Sequence, residues 1–288
     1  RRLKDSLKGT SHNIRVHYDI GFDIFRYMLD ENLTYSCGYL IKEDDTLNDL
    51  QYQKFQRIID KVQLQNGDTI LDIGCGYGSF LIYAAPSSTI RGPGLTNSQQ
   101  HADFANDSIE KLGLADSIKI ICDDYKKIKG SYHKVVSIGM LEHVPRKEYK
   151  TYFDIIKKVL LPSGAALIHA VGCNTKKNNH DPFTQKYIFP NSNQPKLSEI
   201  SSHIERTNMA IIDVENIIRH YRPTAKFWLK NFLENKDRLS NSNYTPEFLR
   251  CWEYYLNCCV SAARYSDAAV YHVLVYQSHL KHIHYARV

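Results

Sequence analysis

Paired cysteines, long apolar runs and a strong excess of one charge are scarce or absent in this 288-residue sequence. The seven cysteines are an odd number without a C-x-x-C pair, which argues against a disulfide framework or a structural zinc site and favours a reducing cytoplasm. The longest uncharged stretch, residues 159–175, is interrupted by Pro162 and His169 and falls short of the about 20 apolar residues of a transmembrane helix. No apolar signal-peptide core follows Arg1. These absences argue against a disulfide-stapled chain and exclude a transmembrane span.

The charge is nearly balanced, since 37 Lys and Arg residues face 31 Asp and Glu residues and leave a net charge of +6. This excess permits an anionic membrane surface or a nucleic acid as partner but demands neither. Lysine clusters at residues 126–129 and 176–177 lack a groove-reading motif, so we expect a solvated face and no nucleic acid. Five histidines lack acidic or cysteine companions at ligand spacing and predict a solvated tail rather than a metal site: His220, His272, His279, His282 and His284.

The length fits one large α/β domain, or a domain with a large insertion, better than two independent domains. Within residues 45–172, helical and strand patterns alternate, which predicts a mostly parallel sheet with helices on both faces. Thr46 is expected to cap the first of these helices. Pro93 does not suit an inner strand, because proline lacks the amide that a neighbouring strand needs. The expected strands lie near residues 69–71, 89–95, 118–122, 135–138 and 166–171.

The last third of the chain has a different composition. Residues 173–208 are polar and turn-rich, and a predicted strand at 210–214, a long aromatic helical region and an alternating strand at 270–276 follow. A long irregular insert in a compact fold usually serves function. We therefore interpret this part as a cap and closing strands on the same sheet, within a single domain.

A glycine-rich loop at residues 71–78, with the sequence L-D-I-G-C-G-Y-G, directly follows the first strong strand. Glycines at such a turn let a ligand approach the backbone, although a bare tight turn is the alternative. The spacing is G-x-G-x-G, and no acidic residue ends the next strand, so dinucleotide binding is not favoured. The pattern D-x-G-C-G-x-G resembles the first motif of Rossmann-like class I methyltransferases, in which this loop faces the amino acid part of S-adenosylmethionine (AdoMet).

An acidic–aromatic group, Asp123-Asp124-Tyr125, follows the third strand of the core. A carboxylate there can accept the adenine amino group while the ring of Tyr125 stacks on the base. An exposed acidic loop is the alternative. Ligands of open sheets bind beyond the carboxyl ends of the strands, which favours the purine site.

Six motifs in order, spread over about residues 12–277, together resemble the cyclopropane fatty acid synthase family, including the mycolic acid cyclopropane synthases. They are H-Y-D-I-G-F-D with Y-S-C-G-Y at residues 17–39, S-I-G-M-L-E-H-V at 137–144, H-A-V-G at 169–172, K-Y-I-F-P at 186–190, H-Y-R-P-T at 220–224 and R-C-W at 250–252. The resemblance implies a seven-stranded sheet with a helical acyl-binding cap. It divides the chain into an N-terminal segment over the cofactor (1–44), a cofactor-binding core (45–172), a cap with one core strand (173–265), and a closing strand with a tail (266–288).

The family's chemistry implies AdoMet and bicarbonate as cofactors. A cis alkene attacks the AdoMet methyl group, and bound bicarbonate then removes a proton so that the ring closes. By this resemblance Glu142 accepts the bicarbonate hydroxyl, while His169 and the Tyr221 hydroxyl donate to its oxygens. The backbone amides of Cys37 and Val171 complete the cradle. Outside these motifs, Glu142 would be interpreted as a helix cap and His169 as a hydrogen-bonded core histidine. Tyr221 would carry no information, because the chain has twenty tyrosines. His143, beside Glu142, is expected to be structural.

The resemblance also assigns cofactor and acyl contacts. The implied cofactor residues are Tyr35, Ser36, Gly74, Gly76, Leu95, Thr96, His101, Asp124, Tyr125 and Ile138. Phe227, Trp228, Phe232 and Leu256 are expected to line or support an acyl tunnel, with core packing as the alternative. The sequence departs from the family at Phe22, where Asn is usual, at His101, where a Gln holds the ribose, at Tyr77, where Trp is usual, and at Asn191 and Ser192, where glycines are usual.

These motifs predict AdoMet-dependent cyclopropanation of an unsaturated acyl chain, in a phospholipid, by a cytoplasmic protein peripheral at the inner membrane surface. Three alternatives stay open: a methyl-branched lipid product, transfer to an amine as in plant coclaurine-type N-methyltransferases, and a non-catalytic AdoMet- or lipid-binding protein. A homodimer, and an N-terminal domain before Arg1 as in some relatives, also stay open.

Overall fold

The computed structural model describes residues 21–175, 181–240 and 244–277. Its centre is a seven-stranded sheet in the order β3-β2-β1-β4-β5-β7-β6, parallel except for β7, which runs antiparallel to β5 and β6. The strands are β1 (Ile70–Ile73), β2 (Gly92–Thr96), β3 (Ile118–Cys122), β4 (Tyr132–Ile138), β5 (Leu160–Cys173), β6 (Ala210–Asn216) and β7 (Ala268–Tyr276). The mostly parallel sheet predicted from the alternating patterns is confirmed.

Nine α-helices lie within the described residues. They are α1 (Phe22–Met28), α2 (Leu47–Val62), α3 (Ser79–Ser88), α4 (Gln99–Lys111), α5 (Tyr149–Val159), α6 (Leu197–Arg206), α7 (Ile218–Glu234), α8 (Lys236–Ser240) and α9 (Pro246–Tyr265). Helices α2, α3 and α4 bury apolar side chains such as Phe55 and Phe80 on one sheet face. Helices α5 and α6 bury Phe153 and Ile200 on the other face. The sheet is thus covered on both sides, as parallel sheets require.

Helix α2 begins as the sequence predicts. The Thr46 hydroxyl accepts a hydrogen bond from the Asp49 amide, and the Asp49 carboxylate accepts one from the Thr46 amide. This reciprocal capping box satisfies two amides that a helix start leaves without partners. It fixes the first turn of the helix that carries Lys54 to the cofactor cavity described below.

Strand β2 lies inside the sheet, between β1 and β3, so the expectation that Pro93 belongs to an edge or a bulge is wrong. The Gly92 amide donates to the Ser117 carbonyl, on the side of β3. Successive amides of a strand point to opposite neighbours, so the amide that Pro93 lacks would face β1. The Ile70 amide of β1 donates to the Arg91 carbonyl before the proline, and the pair Asp72 and Gly94 follows after it. The proline therefore leaves out one bond of the pairing with β1 without ending that pairing.

A helical cap of α1, α7, α8 and α9 covers the carboxyl side of the sheet around its own apolar cluster, which contains Trp228, Phe232 and Trp252. Helix α6 lies in residues 173–265 but does not belong to this cap. Its Ile200 and Ile204 pack in the cluster on the sheet face. The predicted cap region therefore contributes α6 and β6 to the core and only its later helices to the cap.

Two of the histidines predicted to lie in a solvated tail are buried, so that prediction is wrong for His220 and His272. His220 is 3% exposed on α7, and His272 is fully buried in β7. The other three histidines of that group lie outside the described residues. Within the described residues, no helix is both long and apolar enough to cross a membrane.

Helix α7 holds the segment that follows α1. The amides of Gly38 and Leu40 donate to Thr224 Oγ1 at 3.1 Å and to His220 Nδ1 at 3.0 Å. The His220 ring also stacks on Tyr39 with centroids 3.9 Å apart. Both acceptors come from the H-Y-R-P-T motif, one helical turn apart, so one face of α7 fixes residues 38–40.

Candidate active site

Two cavities lie at the carboxyl ends of the strands, where open α/β sheets bind ligands. The first, the cofactor cavity, lies over the glycine-rich loop, and the second, the acyl cavity, lies between the sheet and the cap. Both are lined by Tyr35, Ser36, Gly139 and His143. Because they share these residues, molecules bound in the two cavities would meet at one wall.

The glycine-rich loop leaves β1 in the left-handed region of backbone space. Gly74 has φ +82°, and a Cβ at this position would lie 2.6 Å from Met140 Cγ. Gly76 has φ +55°, with no atom within 4 Å of the position of its missing Cβ. Only glycine combines both properties without strain, so the loop presents bare backbone to the cavity.

Nine of the ten predicted cofactor residues line the cofactor cavity, and Asp124 is the exception. Its carboxylate accepts a hydrogen bond from the Lys126 amide at 2.9 Å and caps a short 3₁₀ turn. Asp123 lines the cavity instead, although it also pairs with Lys127 at 2.7 Å. One carboxylate oxygen of the residue predicted to bind adenine thus accepts a local backbone hydrogen bond.

Two ionisable side chains that were not predicted as site residues also line the cofactor cavity: Lys54 and Asp72, the first residue of the D-x-G-C-G-x-G motif. Lys54 is fully buried and donates to Ser36 Oγ at 3.0 Å. Burial lowers the pKa of Lys54 to about 7, against the opposing attraction of Asp30, Cys37 and Asp72. Burial likewise raises the pKa of Asp72 to about 7, and the charge of Lys54 acts against this rise. One feature of the sequence could have indicated the burial of Lys54: it lies on the apolar face of an amphipathic helix.

All five predicted catalytic residues, Cys37, Glu142, His169, Val171 and Tyr221, line the acyl cavity. Glu142 lies in the 3₁₀ turn Leu141–His143 that follows β4. Its Oε1 accepts from the Val171 amide at 2.5 Å, while its buried Oε2 has no hydrogen-bond partner. Burial raises the pKa of Glu142 to about 7, although the Val171 amide opposes this rise. The Val171 amide, predicted to face bicarbonate, is thus a partner of Glu142 in this structure, because a buried carboxylate needs a donor.

His169 and Tyr221 present different groups to the acyl cavity. His169 Nδ1 lies 2.9 Å from His272 Nε2, and its buried Nε2 has no partner. Burial lowers the pKa of His169 well below its ordinary value, so its ring is neutral. Burial and the neighbouring Cys259 raise the pKa of Tyr221, so its hydroxyl stays protonated and able to donate. The wall thus offers an unpaired carboxylate oxygen, an unpaired ring nitrogen and a phenol.

Four residues were expected to line or support the acyl tunnel, and the structure places them in two groups. Trp228 lines the acyl cavity together with Tyr255, Cys258 and Cys259. Phe232 and Leu256 are fully buried in the cap cluster, and Phe227 packs against that cluster. These three therefore lie in or against the cap cluster, whose Trp228 and Tyr255 line the cavity. His143, predicted to be structural, lines both cavities.

Residues 5–273 match the sequence profile of the mycolic acid cyclopropane synthetase family. The chain belongs to this family. The cyclopropane-fatty-acyl-phospholipid synthase of Escherichia coli strain K12 is 35% identical over 260 residues, which cover 90% of this chain and 66% of that protein. The sphingolipid C9-methyltransferase of Candida albicans is 31% identical over 272 residues, which cover 90% of this chain and 53% of that protein. The chain thus spans only part of the length of both relatives.

A solved structure, that of mycolic acid cyclopropane synthase CmaA1 complexed with SAH and CTAB, matches with a TM-score of 0.87 at 25% sequence identity. The match covers 94% of this chain and 99% of that one. Together with the seven-stranded sheet, it confirms the predicted Rossmann-like class I methyltransferase fold.

Among the described residues, no group of three or more His, Cys, Asp or Glu side chains could hold a metal ion.

Three departures from the family's usual residues lie together beside the cofactor cavity. The rings of Tyr77 and His101 have centroids 4.1 Å apart, and Tyr77 meets Phe22 edge-on at 6.0 Å. Burial lowers the pKa of His101 to about 4, so this ring is neutral at physiological pH. The Tyr77 ring thus contacts the rings of both other departures.

The departure at Asn191 preserves a backbone conformation. Asn191 has φ +63°, the left-handed region in which glycine is most at ease and asparagine is the best tolerated side chain. Two residues on, Asn193 Nδ2 donates to the carbonyls of Glu142 at 3.1 Å and Val144 at 2.8 Å. Tyr149 donates to Asn193 Oδ1 at 2.5 Å. The turn after Y-I-F-P therefore holds the backbone that carries Glu142.

Proposed function

We propose that this chain is an AdoMet-dependent enzyme that transfers a methylene group to a cis double bond of an unsaturated acyl chain and forms a cyclopropane ring. The observation that carries the proposal is the wall shared by the two cavities, together with Glu142 and His169, which line the acyl cavity. A methyl donor over the glycine-rich loop and an alkene under the cap would meet there. Membership of the cyclopropane synthetase family supports the same reaction.

The cofactor cavity suits AdoMet because its chemistry is mixed. The glycine-rich loop leaves room for backbone contact, Tyr125 offers a ring face, and buried Lys54 and Asp72 offer an amine and a carboxyl group to the amino acid part. The acyl wall suits a small hydrogen-bonding anion such as bicarbonate, because Glu142 Oε2 and His169 Nε2 are buried without partners. When bound, AdoMet supplies an electrophilic methyl group and bicarbonate supplies a base near neutral pH.

Residues that line the acyl cavity have separate roles in the proposed reaction. Glu142, with a pKa near neutral, can hold the proton of a hydrogen-bonded anion and return it to solvent after turnover. Neutral His169 and the Tyr221 hydroxyl can orient that anion without neutralising it. Trp228 and Tyr255 surround the acyl chain and exclude water, which would otherwise trap a carbocation.

We further propose a phospholipid as the acyl carrier, reached from a membrane surface. Exposed tyrosines lie near the acyl cavity, since Tyr254 is 57% exposed and one helical turn from Cys258, which lines the cavity. Phe183 meets the Tyr254 ring edge-on at 4.7 Å, and Tyr187 beside it is 55% exposed. Aromatic rings with a polar tip suit a lipid–water interface. The E. coli relative is named for a phospholipid substrate, in agreement with this choice.

The test is an assay of the purified protein with AdoMet and vesicles of a cis-unsaturated phospholipid, followed by mass spectrometry of the released fatty acids. We expect a cyclopropyl chain. Glu142→Gln should bind AdoMet as the unchanged protein does yet form little product, because the amide cannot exchange the proton. No cyclopropyl product from any of several cis-unsaturated lipids, with AdoMet binding measured in the same sample, would refute the proposal.

A methyl-branched lipid is the second candidate product, favoured by the relative named as a sphingolipid C9-methyltransferase. AdoMet labelled with three deuterium atoms on its methyl group separates the two. A cyclopropane retains two of the three, because one leaves when the ring closes. A branched product whose added carbon is a methyl group would identify this second reaction instead.

A further inference from the structure

We propose that His272 is a positioning residue that orients the His169 ring and keeps its proton on Nε2, the nitrogen at the acyl cavity. The role of this proton in turnover rests on the function proposed above, whereas the tautomer itself can be measured without any substrate. None of the sequence motifs includes His272, because the role of this residue depends on its partner in the neighbouring strand.

The two histidines are paired by the sheet itself. Strands β5 and β7 run antiparallel with His169 directly opposite His272. Both side chains are fully buried, and Nδ1 of His169 lies 2.9 Å from Nε2 of His272. The ring centroids are 4.9 Å apart with an angle of 50° between the rings. Strand register therefore holds the Nδ1 edge of the His169 ring against His272.

A hydrogen bond between two neutral imidazoles contains one shared proton, so two arrangements exist. If His169 donates from Nδ1, its Nε2 offers only a lone pair to the cavity. If His272 donates from Nε2, His169 Nδ1 accepts and the proton of His169 resides on Nε2. Only the second arrangement lets His169 donate to a bound anion.

The surrounding charges favour the second arrangement. Burial and the positive charges of Lys61, Lys54 and Arg57 lower the pKa of His272, so its ring is neutral and carries a single proton. In the second arrangement that proton is on Nε2, and Nδ1 of His272 is a bare lone pair, which a positive potential stabilises relative to an N–H bond. This Nδ1 is buried with no hydrogen-bond partner.

Acidic groups on the neighbouring strand do not reverse this field. Glu215 of β6 lies opposite His272 in the sheet, and its carboxylate binds Arg57 at 2.7 Å and Lys61 at 3.3 Å. Asp213 also pairs with Lys61. His220 adds a further unfavourable interaction with a protonated His272. The acids are thus engaged by lysine and arginine, and the basic side chains set the balance at His272.

The direct test is ¹⁵N NMR of the full chain with labelled histidine, assigned by comparison with His169→Gln. We expect a protonated Nε2 and an unprotonated Nδ1 for His169 in the absence of substrate. The opposite assignment would overturn the proposal whether or not the protein makes any product. If the assignment is as expected and no lipid is ever methylated, only the proposed function fails.

Two variants connect the tautomer with turnover. In His272→Gln, the side-chain amide Nε2 can replace the imidazole N–H that donates to His169. In His272→Leu, an apolar side chain fills the space and this donor is removed. We expect His272→Leu to lower kcat roughly tenfold to a hundredfold, as loss of a partner that orients a functional histidine does, with little change in AdoMet affinity. His272→Gln should keep most of kcat and the Nε2 proton of His169.

Leu274→Met, a volume-conserving change at a buried position of the same strand, is the matched control and should keep kcat. Equal losses in the Leu and Gln variants, or an unchanged kcat in His272→Leu with a folded protein, would contradict the proposal. If His272→Leu does not fold, the test is the tautomer of His169 in the His272→Gln protein. A proton on Nδ1 of His169 in that variant would contradict the proposal, because it would show that the donor at residue 272 does not control the tautomer.

Discussion

Glu142 shows how one buried carboxyl group links the chemistry of the site to the stability of the fold. The wall offers it a single backbone amide, and burial raises its pKa from 4.5 to about 7. Below pH 4.5 the group is protonated in both the folded and the unfolded chain. Above about pH 7 it is ionised in both, and the folded state bears the cost of a buried charge. Stability therefore falls as pH rises through this window.

Glu142→Gln should consequently stabilise the protein more at pH 8 than at pH 5. The difference follows from a pKa rise from 4.5 to about 7, which corresponds to roughly 3 kcal/mol. Urea unfolding of both proteins at pH 5 and pH 8 measures this difference in stability. Because the two proteins are compared at the same pH, the effects of Asp72 and Lys54 titration largely cancel. An equal stability difference at both pH values would show that the carboxyl group does not titrate in this window.

Lys54 is the second residue whose burial needs a functional explanation. Its ammonium group faces the cofactor cavity and holds Ser36, which belongs to the wall shared by the two cavities. Lys54→Met should weaken AdoMet binding about tenfold or more, because it removes a charge-assisted hydrogen bond that orders this wall. Isothermal titration calorimetry measures the affinity.

Lys61→Met is the matched control, since Lys61 is equally buried on the same helix but pairs with Asp213 away from the cofactor cavity. This variant should lower stability, because it leaves a buried acid without its partner, and should leave AdoMet affinity almost unchanged. A similar loss of affinity in both variants would indicate that α2 acts only through overall stability.

At the scale of elements, helix α7 has two functions on neighbouring residues. Tyr221 lines the acyl cavity, while His220 and Thr224 hold residues 38–40 by their backbone amides. Thr224 Oγ1 also donates to the His220 carbonyl at 2.7 Å. The H-Y-R-P-T motif therefore combines a site residue with two residues that fix the neighbouring segment.

Thr224→Val should lower the free energy of unfolding by about 1–3 kcal/mol, because the buried Gly38 amide loses its acceptor. The nearly unchanged side-chain volume separates this loss from a packing defect. Chemical denaturation measures it, with Lys226→Ala on the exposed side of α7 as the control expected to stay within about 0.5 kcal/mol of the unchanged protein. A Thr224→Val protein as stable as this control would mean that another group takes over the Gly38 amide.

Sequence patterns predicted those elements whose cause is local. The helix cap at Thr46 and the alternation of strands and helices depend on residues a few positions apart, and both are present in the structure. His272 could not be assigned this way, because its partner lies 103 positions earlier and only the register of β7 brings them together. The assignment of Asp124 to adenine stays a prediction: its carboxylate accepts a hydrogen bond from an amide two residues away, and Asp123 beside it lines the cofactor cavity.

At the scale of the whole molecule, the wall between the cavities is where the N-terminal segment, the core and the cap meet. Tyr35 and Ser36 line both cavities, and the Tyr35 hydroxyl bonds the Tyr255 hydroxyl of α9 at 2.7 Å. On the sheet side, Gly139 and His143 line the same wall. A ligand in the cofactor cavity therefore contacts part of the acyl cavity's wall before any lipid has bound.

AdoMet alone should consequently slow hydrogen exchange in residues 35–40, and not only in the glycine-rich loop. The amides of Gly38, Tyr39 and Leu40 are bonded to α7 and to the Leu50 carbonyl of α2, so ordering Tyr35 and Ser36 should stabilise these bonds too. Exchange followed by mass spectrometry measures this, with peptides from α6, which packs on the sheet and not on the cavities, as the internal control. Lys54→Met saturated with AdoMet should show weaker protection of residues 35–40 but normal protection of the loop, because Ser36 has lost its link to α2. Protection confined to the loop in the unchanged protein would mean that the two cavities fill independently.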